Sequence, residues 1–287
     1  MQHIGFIGLG IMGKPMALNL INAGYSVAVY ARRAELAKAL TRAGAKVYSS
    51  PKELASAVDV LITMVPATTD VEEVLLSKNG IIHNAKTGLI VIDMSTISAA
   101  ATKRIAAQLA KKHIEMLDAP VSGGEKGAIE GTLTIMVGGK ETVLEKVHPI
   151  LKKLGKQITH IGTHGAGQIA KACNQIIIAE TIIAVSEALS LAKASGVDPA
   201  KVREALMGGF ANSRVLEIHG NRMLENDYKP GFKSVLHRKD MHLALEQAHQ
   251  AGLDLASAQL AMHNLDRLVL KGHGELDSSA LHLLIED

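Results

Sequence analysis

The chain has 287 residues, and 31 basic against 28 acidic side chains leave a formal net charge of +3, which is too small to argue by itself for a nucleic-acid partner. Aromatic residues make up 2% of the chain and tryptophan is absent, which argues against a surface for stacking bases. The single cysteine, Cys173, excludes an intrachain disulfide and fits a reducing compartment, so we predict a cytoplasmic protein.

Short β-rich runs alternate with helical patterns in the first half of the chain. The opening MQHIGFIGLG is typical of a strand and a turn rather than of a signal peptide, and IMGKPMALNLINAG predicts a helix that ends at Gly24. Further strands are predicted for YSVAVY, AKVYSS, DVLITMV, GLIVIDMS, IEMLDAP and GTLTIMVGG. The alternation predicts an α/β domain of the Rossmann type, in which a doubly wound, mostly parallel sheet carries helices on both faces.

The pattern changes after about Gly162, where strand-like runs stop and apolar residues recur at helical spacing to the end of the chain. We therefore predict a Rossmann domain over residues 1–163 and an all-helical domain over residues 164–287. The longest apolar run, from about residue 176 to 194, is interrupted by two glutamates and a lysine, which favours a buried core helix over a membrane span.

A glycine-rich loop follows the first predicted strand and precedes the first predicted helix. Its G-x-G-x-x-G motif consists of Gly8, Leu9, Gly10, Ile11, Met12 and Gly13. In this position the glycines permit a tight turn and the close approach of a pyrophosphate, which the N–H groups of the helix N-terminus bind. The motif predicts a binding site for NAD or NADP, and a glycine-rich turn without a ligand is the alternative.

Two arginines occupy the position that distinguishes the two coenzymes. The ribose is read about 20 residues past the glycines, where an acid favours NAD. The run VYARR instead places Arg32 and Arg33 there, with no acid before Glu35. A guanidinium can bind the 2′-phosphate of NADP with two hydrogen bonds, so we predict NADP over NAD. Two solvated arginines at the start of the next helix are the alternative.

Two further loops follow predicted strands at the edge where a doubly wound sheet binds its ligands. The loop TMVP offers Met64, Val65 and Pro66 as apolar contacts along the dinucleotide. The loop DMST offers two hydroxyls, and we predict that Thr96 contacts the coenzyme near the nicotinamide ribose. Ordinary loop chemistry is the alternative for both.

The run DAPVSGG follows another predicted strand and combines the hydroxyl of Ser122 with the backbone N–H groups of Gly123 and Gly124. Consecutive N–H groups suit a small carboxylate or carbonyl oxygen, so we predict a substrate-binding loop. A tight turn that needs glycine for positive φ is the alternative.

Lys171 and Asn174 are three residues apart near the start of the long apolar run, so they share one face of a helix. Removal of a lysine from water favours its neutral form and suits it to proton transfer, whereas a lysine that keeps its head in water is the alternative. Later in the chain, Lys239 and Asp240 form a charge pair, for which an ordinary ion pair at a helix start is the alternative.

These motifs together resemble the β-hydroxyacid dehydrogenase family over essentially the whole chain. GFIGLGIMGKPMALNL is similar to the family's coenzyme signature, DAPVSGG to its substrate loop and GAGQIAKACNQ to its catalytic helix. The stretches EGTLTIMVGG, ALMGGFANSRVLEIHG and PGFKSVLHRKD are most similar to the tartronate semialdehyde reductase branch of the family.

The resemblance implies a Rossmann domain joined through a long helix to an all-helical domain that also makes the contacts of a homodimer or homotetramer. It implies that Lys171 is the general acid/base and that Thr96 and Lys239 contact the coenzyme. It further implies that the substrate is held by Ser122, Gly123, Gly124 and Asn174. Ala31 stands where many members carry Asp or Asn, which leaves the choice of coenzyme to the arginines.

The activity implied by the resemblance is the reduction of a small carboxylate-bearing semialdehyde, tartronate semialdehyde to glycerate, by hydride transfer from NADPH. A 3-hydroxyisobutyrate dehydrogenase or another short-chain semialdehyde reductase is the alternative within the family. Imine reductases are similar to this chain with the lysine replaced, so Lys171 argues against that group. A non-catalytic NADP-binding sensor is the alternative of another class. We expect no metal and no nucleic-acid or membrane partner.

Overall fold

The computed structural model describes residues 2–286. By its internal contacts the chain divides into two compact units, Met1–Lys171 and Ala172–Asp287. The division falls within a long helix, Ala166–Ala194, whereas the boundary predicted near residue 163 precedes that helix. The assignment of residues 1–163 and 164–287 as domains stays a prediction.

A sheet of parallel strands forms the middle of the first unit. Its first six strands are β1 (His3–Ile7), β2 (Ser26–Tyr30), β3 (Lys46–Val47), β4 (Val60–Thr63), β5 (Ile90–Asp93) and β6 (Glu115–Asp118). They lie in the spatial order β3-β2-β1-β4-β5-β6, and each neighbouring pair is parallel. Every residue of β4 and β5 is buried, as expected for strands covered on both faces.

Helices cover both faces of this sheet, which confirms the predicted doubly wound fold. The helices are α1 (Gly13–Asn22), α2 (Lys38–Arg42), α3 (Pro51–Ala55), α4 (Thr68–Leu76) and α5 (Ala99–Ala110). Successive residues of a strand point to opposite faces. Accordingly, Val60 and Ile62 of β4 share a hydrophobic cluster with Met16 of α1. Leu61, between them, shares another cluster with Leu75 of α4.

The sheet continues past β6 with partly antiparallel pairing. The additional elements are β7 (Val121–Ser122), α6 (Gly124–Glu130), β8 (Leu133–Gly139), α7 (Glu141–Leu151) and β9 (Gly155–Gly162). Strand β8 pairs antiparallel with β6 and β7 and parallel with β9. The pairing of β7 with β8 places Ser122 opposite Thr134 on the sheet.

The second unit is helical in its described part, apart from an isolated bridge between Lys233 and Asp277. Helix α8 (Ala166–Ala194) begins in the first unit and continues into the second. The others are α9 (Pro199–Met207), α10 (Arg214–Leu224), α11 (Ser234–Gln250), α12 (Ala256–Leu268) and α13 (Leu283–Glu286).

Helix α8 is only partly a core helix. Ile182 and Leu189 pack in the hydrophobic cluster of the second unit, whereas Ile177 and Leu191 are 65% and 69% exposed. The prediction of a buried core helix is therefore right for one face and wrong for the other. Helix α8 is long and apolar enough to cross a membrane, but core helices of soluble proteins often meet the same criteria of length and composition. In its most apolar window, 39% of the helix is buried inside the protein.

Candidate active site

The glycine-rich loop between β1 and α1 needs its glycines for different reasons. Gly8 has a φ of +99°, and an added Cβ there would overlap the carbonyl oxygen of Met64. An added Cβ on Gly13 would overlap the carbonyl oxygen of Gly8. At Gly10 an added Cβ would meet no atom of the chain within 4 Å, so packing within the chain does not explain this glycine. The room beside Gly10 fits a pyrophosphate that approaches the N-terminus of α1.

The glycine-rich loop lies where the strand order changes direction. Strand β1 has β2 on one side and β4 on the other, and the helices that follow β1 and β4 cover opposite faces. Ligands of doubly wound sheets bind in the crevice outside the carboxyl ends of such strands. The loop of Met64, Val65 and Pro66 follows β4, and the carbonyl oxygen of Met64 lies so close to Gly8 that an added Cβ would overlap it. The residues present therefore fit a dinucleotide.

Arg32 and Arg33 follow β2, and both are exposed. Arg32 Nη2 lies 3.3 Å from Asp70 Oδ1, and Arg33 Nε lies 4.0 Å from Glu35 Oε1. Asp70 lies in the first turn of α4, where it also accepts a hydrogen bond from the backbone N–H of Ala67 at 3.2 Å. The structure thus gives Arg32 an acidic partner that the sequence does not predict.

A buried carboxylate connects the loops that follow β4 and β5. Asp93 Oδ1 accepts hydrogen bonds from Thr63 Oγ1 at 2.8 Å and from the N–H of Ser95 at 3.1 Å. The hydroxyl of Ser95 in turn accepts a hydrogen bond from the N–H of Val65 at 3.0 Å. The Ser95 hydroxyl therefore holds the neighbouring loop, which leaves Thr96 as the partly exposed hydroxyl of the DMST loop.

The environment of Asp93 changes its protonation. Burial raises the pKa of Asp93 to about 6. The hydrogen bonds from Ser95 and Thr63 act in the opposite direction and offset part of this increase. Its second oxygen, Oδ2, has no hydrogen-bond partner among the described residues. A proton on this carboxyl therefore relieves the cost of burying the negative charge.

A second buried carboxylate, Asp118 at the end of β6, binds the N-terminus of α8. Its two oxygens accept hydrogen bonds from the N–H groups of Gly165 at 2.8 Å and Gln168 at 3.1 Å, which satisfies two donors that a helix N-terminus leaves without partners. Gly165 has a φ of +89°, and an added Cβ on Gly167 would overlap the carbonyl oxygen of Met136. The run GAGQ thus allows α8 to start against the sheet.

Lys171 lies in the second turn of α8 and is 7% exposed. The residue as a whole is therefore buried, and its role as a desolvated proton donor stays a prediction. Asp118, which binds the N-terminus of the same helix, has a raised pKa because it is buried. The hydrogen bonds from Gly165 and Gln168 lower this pKa and offset part of the increase. The helix that carries Lys171 therefore starts at a carboxyl held inside the protein.

The two glycines that follow β7 have the backbone conformation that a tight turn requires. Gly123 and Gly124 have φ values of +134° and +60°, so both need glycine irrespective of a ligand. Ser122, at the end of β7, is partly exposed. The conformation agrees with the tight-turn alternative, and a substrate role for the three residues stays a prediction.

In the second unit, Asn174 and Lys239 are connected through two buried residues. Asn174 Nδ2 donates to Gln175 Oε1 at 2.7 Å, and Gln175 Nε2 donates to Asp240 Oδ2 at 2.8 Å. Lys239 Nζ lies 2.9 Å from Asp240 Oδ1. The predicted pair of Lys239 and Asp240 is thus part of a longer chain of polar contacts that reaches Asn174.

Sequence reasoning missed the buried polar residues that hold these loops in place: Asp93, Asp118, Gln168 and Gln175. A signal for two of them was available. LIVID and IEMLD are apolar strands that end in an acid, and a carboxylate at the end of a buried strand needs hydrogen-bond partners. The partners themselves lie far away in the sequence.

Two family models match the chain. Residues 3–162 match the NAD-binding domain of 6-phosphogluconate dehydrogenase. Residues 165–285 match the model described as NAD-binding of NADP-dependent 3-hydroxyisobutyrate dehydrogenase. The first match alone covers more than half of the chain. The chain belongs to the β-hydroxyacid dehydrogenase family.

Relatives of this dehydrogenase agree with the assignment. It is 47% identical to the 2-hydroxy-3-oxopropionate reductase of Escherichia coli (strain K12), over 99% of this chain and 97% of the relative. It is 37% identical to the NAD-dependent L-serine dehydrogenase of Pseudomonas aeruginosa, over 100% of this chain and 98% of the relative. The solved structure of Mycobacterium tuberculosis 3-hydroxyisobutyrate dehydrogenase with L-serine has a TM-score of 0.92 and 33% identity, and 100% of each chain is covered.

As a member of the family, the protein is an NAD(P)-dependent oxidoreductase, so the predicted family, fold and coenzyme class are confirmed. This result favours an enzyme over the non-catalytic sensor. The glycine-rich loop, Arg32, Arg33 and Thr96 all lie within the region that matches the NAD-binding model. The individual roles of the site residues stay predictions.

Proposed function

We propose that this β-hydroxyacid dehydrogenase reduces a small carboxylate-bearing semialdehyde with NADPH, and that the reaction is tartronate semialdehyde to glycerate. The observation that carries the proposal is Lys171, a lysine buried on a helix whose N-terminus is bound by the buried Asp118. The 47% identity to a protein named 2-hydroxy-3-oxopropionate reductase supports the choice of substrate.

Lys171 is the proton donor in this proposal. When bound, NADPH supplies the hydride that reduces the aldehyde carbon. Negative charge then develops on the carbonyl oxygen, and the Lys171 ammonium stabilises this charge and transfers a proton to complete the alcohol. The exclusion of water around Lys171 strengthens its interaction with the oxygen, because fewer solvent dipoles compete for the charge.

The substrate is held on two sides. The Ser122 hydroxyl and the N–H groups of Gly123 and Gly124 bind the carboxylate, which fixes the position of the carbonyl group. Asn174 binds a substrate hydroxyl. Because its Nδ2 donates to Gln175, its Oδ1 is the atom that would accept a hydrogen bond from that hydroxyl.

The coenzyme contacts follow the strand ends of the sheet. Gly8 to Gly13 bind the pyrophosphate, and Met64, Val65 and Pro66 pack along the dinucleotide. Thr96 and Lys239 complete the contacts. Arg32 and Arg33 bind the 2′-phosphate, and their positive charge at the end of β2 supports NADPH over NADH.

We also propose that the protein acts in the cytoplasm as a homodimer or homotetramer. The exposed residues Ile177, Ala184 and Leu191 recur every seven positions along α8. A stripe of apolar residues with this period lies along one face of a helix and is typical of helix–helix contact.

The alternative is a 3-hydroxyisobutyrate dehydrogenase, which the structural similarity to the Mycobacterium tuberculosis enzyme favours. NADPH and NADH oxidation should be measured with tartronate semialdehyde, methylmalonate semialdehyde and succinate semialdehyde. We expect the highest kcat/KM for tartronate semialdehyde with NADPH. A higher value for methylmalonate semialdehyde would assign the enzyme to the alternative. Binding of NADPH without turnover of any aldehyde would support the sensor.

A further inference from the structure

Gln168 makes two hydrogen bonds to the loop that carries Thr96. Its Nε2 donates to the carbonyl oxygen of Ser95 at 2.8 Å, and its Oε1 accepts from the N–H of Ile97 at 3.1 Å. The two bonds hold the backbone on either side of Thr96. Gln168 is 3% exposed, so water does not replace these bonds readily, and their loss would leave buried polar groups without partners.

The backbone of Gln168 is fixed as well. Its N–H donates to Asp118 Oδ2 at 3.1 Å, and the residue belongs to the first turn of α8, three positions before Lys171. One residue therefore connects the end of β6, the loop after β5 and the helix of the lysine. Only a side chain with a donor and an acceptor side by side can make both bonds to the loop, and a primary amide has this arrangement.

We propose that Gln168 is a positioning residue that fixes Thr96 relative to Lys171. The inference rests on the proposed function, in which Thr96 contacts the coenzyme and Lys171 donates the proton. The hydride is transferred to the carbon and the proton to the oxygen of the same carbonyl group. The loop that carries Thr96 and the helix that carries Lys171 must therefore keep a constant distance from each other. A displacement of about 1 Å can reduce the rate roughly 100-fold.

The test uses Gln168→Leu, which removes both bonds, and Gln168→Glu, which removes the donor while its carboxyl is ionised. At pH 8 we expect kcat to fall roughly 10- to 100-fold in both variants, with a smaller change in the Kd of NADPH. Gln157→Glu makes the same substitution at an exposed residue of β9 and should retain kcat.

The pH dependence separates positioning from a purely structural role. A protonated carboxyl regains a donor for Ser95 and keeps an acceptor for Ile97. The kcat of Gln168→Glu relative to wild type should therefore rise at least fivefold from pH 8 to pH 5.5, whereas the ratio for Gln168→Leu should stay constant. Asp93, Asp118 and His164 are present in all three proteins, and the ratio for Gln168→Leu, which introduces no carboxyl, controls for their own pH dependence. If Gln168 contributes to stability alone, the kcat ratios of both variants to wild type should change with pH only as much as their folded fractions do. Thermal unfolding measures these fractions.

Hydrogen exchange of the Ile97 amide gives a readout that does not depend on turnover. We expect faster exchange in folded Gln168→Leu than in wild type. Absence of turnover by the wild type would reject the proposed function, and the exchange result would still report whether Gln168 holds the loop. A folded Gln168→Leu protein with wild-type kcat, or with unchanged exchange at Ile97, would overturn the positioning role.

Discussion

The guanidinium of Arg32 and the carboxylate of Asp70 lie 3.3 Å apart, from Nη2 to Oδ1. Arg32 follows β2 and Asp70 lies in the first turn of α4, so the pair joins two segments next to the proposed coenzyme site. A carboxylate next to Arg32 restrains the guanidinium and also offsets part of its charge. Asp70 is therefore a second candidate determinant of coenzyme preference, beside the arginines.

The arginines themselves are tested by the double substitution Arg32→Ala, Arg33→Ala. A hydrogen bond to a charged group contributes about 1.5–3 kcal/mol, so the affinity for NADPH should fall roughly 10- to 150-fold, whereas NADH affinity should change little. Coenzyme fluorescence titration measures both values, and Arg42→Ala, at an exposed arginine of α2, serves as the control. An equal loss for both coenzymes would show that the arginines do not bind the 2′-phosphate.

Asp70→Asn should act in the opposite direction. The amide keeps an acceptor for the N–H of Ala67 but removes a negative charge near the expected 2′-phosphate. Exposed ion pairs contribute up to about 1 kcal/mol, so NADPH should bind roughly two- to fivefold more tightly, with NADH unchanged. Glu73→Gln makes the same change of charge at an exposed position of α4. If both variants strengthen NADPH binding equally, the effect comes from net charge rather than from Asp70.

Ser122→Ala tests the predicted substrate-binding loop at the end of β7. If the hydroxyl binds the substrate carboxylate, KM for a carboxylate-bearing aldehyde should rise about tenfold or more, and KM for an aldehyde of the same length without the carboxylate should change much less. Steady-state kinetics with this pair of substrates provides its own control. Equal effects on both aldehydes would leave the loop as a turn only.

Lys171→Ala should lower kcat by ~10²–10⁴-fold, the usual contribution of general acid/base catalysis. NADPH affinity should change little, because Gly8 to Gly13 are expected to bind the pyrophosphate without the lysine. Lys171→Arg should lower kcat as well, since a guanidinium stays protonated near neutral pH and cannot donate its proton to the substrate. Single-turnover hydride transfer, NADPH titration and circular dichroism check these outcomes, with Lys156→Ala at an exposed lysine as the control. Near-normal hydride transfer by a folded Lys171→Arg variant is incompatible with the catalytic assignment.

The buried Asp93 predicts a pH dependence of stability. Its pKa in the folded chain is about 6, so between about pH 4 and pH 6 the folded state holds a proton that the unfolded chain has released. This carboxyl therefore lowers the free energy of unfolding as the pH rises through that window. A shift of about two pKa units corresponds to at most ~3 kcal/mol.

Asp93→Asn removes this titration. Urea unfolding of wild type and variant at pH 4, 5, 6 and 7 should show the variant gaining stability relative to wild type as the pH rises, by up to ~3 kcal/mol. Asp59→Asn, the same substitution at an exposed residue, controls for the loss of a negative charge. A constant difference between Asp93→Asn and wild type across this range would contradict the predicted pH dependence.

The sequence alone predicts the parts of the fold that depend on local pattern. The apolar runs of β4 and β5 and the glycines at residues 8 and 13 follow from residues close together in the chain. The predicted residues Lys171 and Asn174 also lie within one short motif. Such features depend on backbone conformation and hydrophobic periodicity, which neighbouring residues determine.

The polar contacts that support the candidate site could not be predicted in this way. Asp118 and Gln168, or Gln175 and Asp240, meet because strands and helices bring distant residues together. From the sequence one can predict that a buried carboxylate needs hydrogen-bond donors. The sequence does not identify which of the many donors in the chain are its partners. The exposed face of α8 was missed for a related reason, since the composition of a helix does not reveal which of its faces the core covers.

The hydrogen bonds between Asp118 and the start of α8 bear on where this chain and a relative can be joined in a hybrid protein. A crossover between residues 163 and 164 would take Asp118 from one parent and the helix N-terminus that it binds from the other. A crossover after Lys171 would keep Asp118, Gly165, Gln168 and the lysine from one parent, although the junction then falls inside a helix. A hybrid protein joined beyond residue 171 therefore keeps the buried carboxylate, its two N–H donors and the candidate proton donor as they occur together in one parent.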